Sequence, residues 1–397
     1  RARDRLTREM VRACRAVHLA IARVIFRHAS NGLEPRAPEA FIPVRTLDQS
    51  ANPGDMIRYS FSRSDTWRTV GGVPRRIADR RSGAMIWAIL ALAPTPVLAQ
   101  GVATSCMASA GSMTPAGWSA PRAHQSARAS TASQVAPLSL VADVPLPGAA
   151  RRFDYQSFDS TTGRLYISHM HGDRLDVFDT RANELVASLE GYPGATGVWA
   201  VPALHRIYVS ATGRHEVAVV EDRSLRVIAW VRGADFPDGI AYAPAERRVF
   251  VSDESGGADL VIDGVTNAKI GVIALGGEAG NTHYDAVSHC VLVAVQTTNE
   301  MVAIDPGSDK ILARYRTDCD HPHGFLVDAP RRLAFVSCEG DSRLLVIDLR
   351  SMHTTATGSV AEGPDVLAFD PGLLRLYVAC ESGSLAVPIL KLWIEYA

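Results

Sequence analysis

From about residue 138 onward, short runs of β-branched and aromatic residues alternate with polar turn clusters, and they do so with one period. Arg164-Leu165-Tyr166-Ile167-Ser168 returns as Arg206-Ile207-Tyr208-Val209-Ser210 and as Arg248-Val249-Phe250-Val251-Ser252. It returns again as Cys290-Val291-Leu292-Val293-Ala294, Leu333-Ala334-Phe335-Val336-Ser337 and Arg375-Leu376-Tyr377-Val378-Ala379. The closing residues are 42, 42, 42, 43 and 42 apart. A series of acids, Asp179, Glu221, Asp263, Asp305 and Asp348, keeps the same frame. One extra residue between Asp305 and Gly324 accounts for the longer step in both series.

Each unit has room for four strands and none for a ten-residue helix. In the second unit the pattern predicts strand a near Val198–Val201, b near Arg206–Ser210, c near Glu216–Val220 and d near Leu225–Val231. Four strands in about 42 residues, repeated, predict an all-β β-propeller with six blades' worth of repeat. Leu140-Val141-Ala142-Asp143-Val144 aligns with the strand-d segment Leu185–Leu189 and is expected to supply the outer strand of the last blade.

The Tyr-Val-Ser pattern after a basic residue, with an acid closing strand c, resembles the YVTN-type β-propeller repeat family of the quinoprotein amine dehydrogenase-like superfamily. The resemblance covers residues 138 to about 387. It implies an exported bacterial protein and a ring of seven blades. Six copies of strand b are present, and Leu390 stands where the sixth unit should have an acid, so the C-terminus is expected to be truncated relative to that family.

Strand parity sends the d–a and b–c connections to one face of the ring. The opposite face carries ordinary turn chemistry such as Asp305-Pro306-Gly307-Ser308. Just before strand a, beside the channel, the frame-equivalent residues are Asp154, Thr196, Asp238, Gly280, His323 and Asp365. Converging carboxylates raise one another's pKa and call for a compensating cation. Asp154, Asp238, His323 and Asp365 are therefore the candidate ligands for a divalent metal, with Ca, Mn or Zn the candidates. Glu278, Asn281, His283, His321, His169, Asp253 and Glu339 lie on connections of the same face, as do Glu254, Cys380 and Glu381. The competing reading is that each Asp merely opens a turn, as in Pro237-Asp238-Gly239. Propeller lactonases similar in architecture hold an axial metal; of their ligand pattern, only Asn281 and the Asp residues have counterparts here.

Cys319 leads into strand a and Cys338 ends strand b of one blade, so both fall on that face at adjoining ends of paired strands. The first reading is a disulfide, which would contribute roughly 3 kcal/mol by constraining the unfolded chain. The rivals are a metal site from Cys319, His321 and His323, or buried thiols. Cys290 lies within a strand and is expected as an unpaired core thiol, with Cys380 also unpaired.

The 397 residues divide into regions of opposite charge. Residues 1–83 carry 17 Arg and 8 acids, whereas the remainder is acidic, and the whole has a net charge of −1. An acidic body argues against nucleic-acid binding. Residues 1–74 are expected to be disordered or an upstream over-extension, with Met56 and Met85 as candidate starts. Arg75, Arg76, Arg80 and Arg81, then the apolar run Ala84–Ala93, then Val97-Leu98-Ala99 have the layout of a signal peptide over 75–99. Residues 100–137 form an Ala/Ser-rich linker and 138–397 the propeller, so cleavage would leave no transmembrane anchor. Cys-x-x-Cys-His is absent, which argues against haem, and no serine-hydrolase elbow, Walker loop or dinucleotide fingerprint occurs. The expected function is a monomeric, periplasmic or secreted propeller that binds a small ligand, metal ion or protein partner on the d–a/b–c face. A metal-dependent hydrolase of the lactonase kind is the alternative, and a quinoprotein-like redox protein a more distant one.

Overall fold

The computed structural model describes residues 57–60 as backbone, and residues 141–148 and 152–388. The expected signal peptide, the 100–137 linker and the tail from 389, Leu390 included, lie outside the described residues.

Six four-stranded antiparallel sheets build a β-propeller. A short strand, β1 (Ile57–Ser60), comes first in sequence. Blade 1 holds β2 (Gln156–Asp159), β3 (Arg164–His169), β4 (Arg174–Asp179) and β5 (Glu184–Glu190). Blade 2 holds β6 (Ala195–Val201), β7 (Arg206–Ala211), β8 (Glu216–Glu221) and β9 (Val227–Arg232). Blade 3 holds β10 (Pro237–Ala243), β11 (Arg248–Asp253), β12 (Ala258–Asp263) and β13 (Lys269–Ala274). Blade 4 holds β14 (Ala279–Asp285), β15 (Cys290–Val295), β16 (Glu300–Asp305) and β17 (Lys310–Arg316). Blade 5 holds β18 (Pro322–Asp328), β19 (Leu333–Cys338), β20 (Arg343–Asp348) and β21 (His353–Ser359). Blade 6 holds β22 (Pro364–Asp370), β23 (Arg375–Cys380) and β24 (Ser384–Val387), and β1 completes it.

The two phased series each have a local cause. The motif aromatics Tyr166, Tyr208, Phe250 and Phe335 are almost fully buried, each filling the seam toward the next blade. Such burial contributes about 1.5–3 kcal/mol per side chain. The acids that end strand c fold the c–d turn: Asp179 Oδ1 accepts from the Arg181 and Ala182 amides at 2.7 and 3.0 Å. Asp263 does the same for Val265 and Thr266. An Asx side chain standing in for a backbone acceptor is what such a turn needs. The outer strands alternate partly covered and exposed positions, as in β21, because only one side of each is packed.

The inner strands β2, β6, β10, β14, β18 and β22 pack side by side in that order. Arg332 ties blade 5 to blade 4 by gripping both Asp285 oxygens, at 2.7 and 2.5 Å. Blade 6 meets blade 1 through an Arg152–Glu381 ion pair and through Val366, which packs on the cluster containing Tyr155.

The last blade takes its outer strand from Ile57–Ser60, paired with Val387–Ser384, and not from Leu140–Val144. Val141–Leu146 forms no strand; Val144 and Leu146 instead cover Leu165, Ile167 and Phe178. Those three residues form the side of blade 1 that faces back toward blade 6, as Ile207, Val209 and Val220 of blade 2 face blade 1. Apolar side chains on that side need cover, which outweighs the likeness of Leu140–Val144 to a strand d. Cys290 also departs from expectation. It is buried in β15 but disulfide-bonded, with its partner outside the described residues.

Candidate functional site at the channel mouth

The motif serine links the repeat to the site. Ser210 Oγ donates to the Asp238 carbonyl at 2.7 Å, and Ser337 Oγ to those of Gly324 and Asp365 at 2.8 and 3.1 Å. Each serine thus anchors the start of the next blade's inner strand, where a ring residue sits. Thr196 and Thr212 donate to the Pro237 carbonyl and hold the residue before Asp238. Glycines make the approach possible. A Cβ on Gly197 would stand 1.8 Å from the Asp238 carbonyl oxygen, and one on Gly280 2.9 Å from His323 Cα. Ser337→Ala is expected to cost about 1 kcal/mol, the net worth of a typical hydrogen bond, measured by urea denaturation.

His323 stands among the carboxylates. Its Nε2 is 3.5 Å from Asp365 Oδ1 and 3.8 Å from Asp238 Oδ2, and its Nδ1 is 3.7 Å from Glu339 Oε1. These separations are too long for good hydrogen bonds. Asp238 Oδ2, Asp365 Oδ1, His323 Nδ1 and the Tyr155 hydroxyl are all buried without a hydrogen-bond partner. Asp238 is 3% exposed and His323 8%. Arg152 lies 3.9 Å from Asp154 and pairs with Glu381. His323, Glu339 and Asp365 offer donor atoms all within 4.8 Å of one another, the spacing of a shared cation.

Burial opposes charge on His323, but Asp365, Glu339, Asp238 and Glu254 outweigh it and raise the imidazolium to about 9. Burial pushes Asp238 up; His323 pulls it down and Glu254 and Asp365 push it up again, to about 7. Asp154 is driven well above the usual range by burial and then by Asp365 and Asp238. The protonated His323 and Arg152 are therefore the compensating charges of the ligand-free site.

A sign follows for stability. The folded state binds protons at Asp238 and His323 more tightly than the unfolded chain, so both contributions are lost as pH rises, between about 4 and 7 for Asp238 and between 6.5 and 9 for His323. Burial opposes the charge of Asp159 and Asp285, but their hydrogen-bond donors outweigh it and hold both carboxyls low, so they contribute above their unfolded pKa and lose that contribution in acid. Without added metal, the melting temperature is expected to peak near pH 4 and to fall from there toward pH 9. Differential scanning fluorimetry across that range checks it.

The other face residues separate from this cluster. His169 is buried against Asp176 at 3.1 Å and packs on Phe153, a structural pairing. Asp253 Oδ1 accepts from the Asp235, Phe236 and Gly256 amides and shapes its own turn. His283 lies between Trp199 and Phe325 with Asn281 Nδ2 3.1 Å from its Nε2; burial lowers its pKa to about 4, so it is neutral. His321 turns to Asp320 at 3.0 Å, and Glu278 is exposed. Cys319 and Cys338 form a disulfide with Cα atoms 6.1 Å apart. Arg152 and Tyr155 belong to the site although the frame did not single them out. Both flank Asp154, which was the only signal available.

No family model matches the chain, and no curated protein does. Among solved structures it is similar to a chain of hydrazine synthase from Kuenenia stuttgartiensis, at 15% identity and a TM-score of 0.43, over 58% of this chain and 94% of that one. What stands from sequence and geometry together is an all-β propeller, with six blades among the described residues and an acidic, histidine-centred cluster at one mouth of its channel.

Proposed function

We propose that this protein is an exported propeller of the YVTN type whose channel mouth holds one divalent cation and presents it to a small oxygen-bearing ligand. One observation carries this reading. His323 Nε2 lies 3.5 Å from Asp365 Oδ1 and 3.8 Å from Asp238 Oδ2, all buried, and both of those carboxylate oxygens and His323 Nδ1 have no hydrogen-bond partner. A buried polar atom left without a partner costs about 1–3 kcal/mol, and a shared cation removes that cost for several atoms at once. His323, Glu339 and Asp365 would be the ligands. Asp238, 3.8 Å from Nε2, would orient the ring, as a carboxylate beside a metal-bound histidine does. A mixed nitrogen and oxygen donor set suits Mn²⁺ or Zn²⁺ better than Ca²⁺. When bound, the cation would supply a Lewis acid; Asp154 and Arg152 at the rim would orient the ligand.

Elemental analysis of protein purified without chelator, with calorimetric titration of Mn²⁺, Zn²⁺ and Ca²⁺ into metal-free protein, tests the reading. One equivalent per chain is expected. No binding and an unchanged melting temperature with all three ions would end it.

The buried Tyr155 hydroxyl favours a second reading, a metal-dependent hydrolase. Burial and then the Asp238, Asp365 and Asp154 charges raise its pKa well above normal, which keeps it a proton donor. Turnover of a lactone or phosphoester panel, lost in Tyr155→Phe with metal still bound, selects that reading.

Export is tested by the N-terminus of the mature protein, expected at Gln100. Cleavage there would remove Ile57–Ser60 and leave β24 as the outermost strand of blade 6. An uncleaved cytoplasmic chain would overturn the localisation.

A further inference from the structure

We propose that blade 5 carries a second, thiol-dependent metal site. With the Cys319–Cys338 disulfide reduced, the two thiolates and the Asp341 carboxylate would bind one thiophilic divalent ion such as Zn²⁺. The Sγ atoms and an Asp341 oxygen already lie within 4.8 Å of one another. One ion among them can therefore approach Zn–S distances near 2.3 Å and Zn–O distances of about 2.0–2.2 Å after small side-chain rotations.

The donors stay in place without the covalent bond, because the two loops are held by other contacts. The Glu339 amide donates to the His321 carbonyl at 2.9 Å and the Gly340 amide to that of Asp320 at 3.1 Å. Pro322 pairs with Cys338 in the β18–β19 ladder, and Arg343 reaches the Asp318 carbonyl. Asp341 is oriented by the Asp320 amide at 3.3 Å and by Arg343 at 3.6 Å.

The surroundings suit a thiolate centre open on one side. Cys338 is fully buried and Cys319 is 8% exposed, both in the cluster with Phe325, Val336 and Leu345. Asp341 is exposed, which gives the ion its entrance. Three protein donors leave the fourth tetrahedral position to water, or to His321 or Asp320. Both of these side chains crowd the space over Gly340, where a Cβ would lie 3.0 Å from His321 Nδ1 and 2.5 Å from Asp320 Oδ2.

The chemistry balances with a dithiol or phosphine reductant. Two electrons and two protons convert the disulfide to two thiols. A phosphine leaves as its oxide, taking oxygen from water; a dithiol leaves as its cyclic disulfide. The two thiol protons depart when the ion binds.

The test uses the whole protein, reduced with a water-soluble phosphine under argon and titrated with Co²⁺. Reduced protein is expected to bind one more equivalent than oxidised protein and to gain a near-ultraviolet thiolate-to-cobalt band. Cys319→Ser should lose that band, and Asp341→Asn should weaken the added site by at least about tenfold. His323→Ala should leave the band intact, which separates this site from the channel mouth. If Cys319→Ser does not fold, the band must instead persist in Cys290→Ser/Cys380→Ser. The proposal fails if reduced wild type shows no band. It fails equally if the band survives Cys319→Ser or is lost in Cys290→Ser/Cys380→Ser, since Cys290 or Cys380 would then be its source, or if Asp341→Asn binds as tightly as wild type.

Discussion

Gly324→Ala is expected to cost more than about 4 kcal/mol, at the far end of single substitutions, and to abolish cation binding at the channel mouth. A Cβ on Gly324 would stand 1.7 Å from the Asp365 carbonyl oxygen and 3.0 Å from Ser337 Oγ. The first contact is with backbone, so no side-chain rotation relieves it. β18 and β22 would have to separate, breaking the Ser337 hydrogen bond and moving Asp365 away from His323. Gly191 is the control. It has a left-handed φ of +99° but nothing within 4 Å of its Cβ position. Its alanine variant should lose only about 1 kcal/mol, from backbone strain, and should bind cation as wild type does. Urea denaturation and metal titration of the two variants read both effects. A Gly324→Ala protein of near-normal stability would mean that the inner strands are not held as closely as described.

His323→Ala is expected to weaken divalent-cation binding by at least about 100-fold, because a missing ligand costs no less than a missing outer-shell partner. Asp238→Asn should weaken it in the same direction. Wild type at a cation concentration near 100 times Kd should gain about 2.7 kcal/mol by mass action. That corresponds to a rise of about 5–10 °C in melting temperature for a propeller of about 240 residues. The variants should show little of this rise. His323→Ala also removes the imidazolium that compensates Asp238 and Asp365, so its metal-free form should be less stable than wild type below pH 9. Affinity must therefore be read by titration as well as by melting. Substitution of His283 or His169, which pack against rings or Asp176, should leave cation affinity close to wild type. An undiminished affinity in His323→Ala would remove the basis for a site at this mouth.

The blades were legible in the sequence because their causes are local. Strands a to d of a blade pair across turns of a few residues, the motif aromatic fills the adjoining seam, and the acid ending strand c caps its own turn. Alternation and the 42-residue frame carry all of that, including which face receives Asp154, Asp238, His323 and Asp365. The tertiary structure alone decided which of those face residues meet. His323 and Asp238 are 85 positions apart, and the closure of the ring, not any motif, brings them within 3.8 Å. It likewise set Glu339 beside His323, Arg152 beside Glu381, and the Tyr155 hydroxyl within reach of the charges of Asp238, Asp365 and Asp154. It sent His169 to Asp176 and His283 between Trp199 and Phe325, although their loops and strands share the same frame. It also chose Ile57–Ser60 over Leu140–Val144 for the last blade's edge, since a strand edge accepts any extended segment through backbone hydrogen bonds. Repeated local chemistry determines a blade; contacts between distant residues around the axis have no repeat to announce them, and only packing of the six blades selects them.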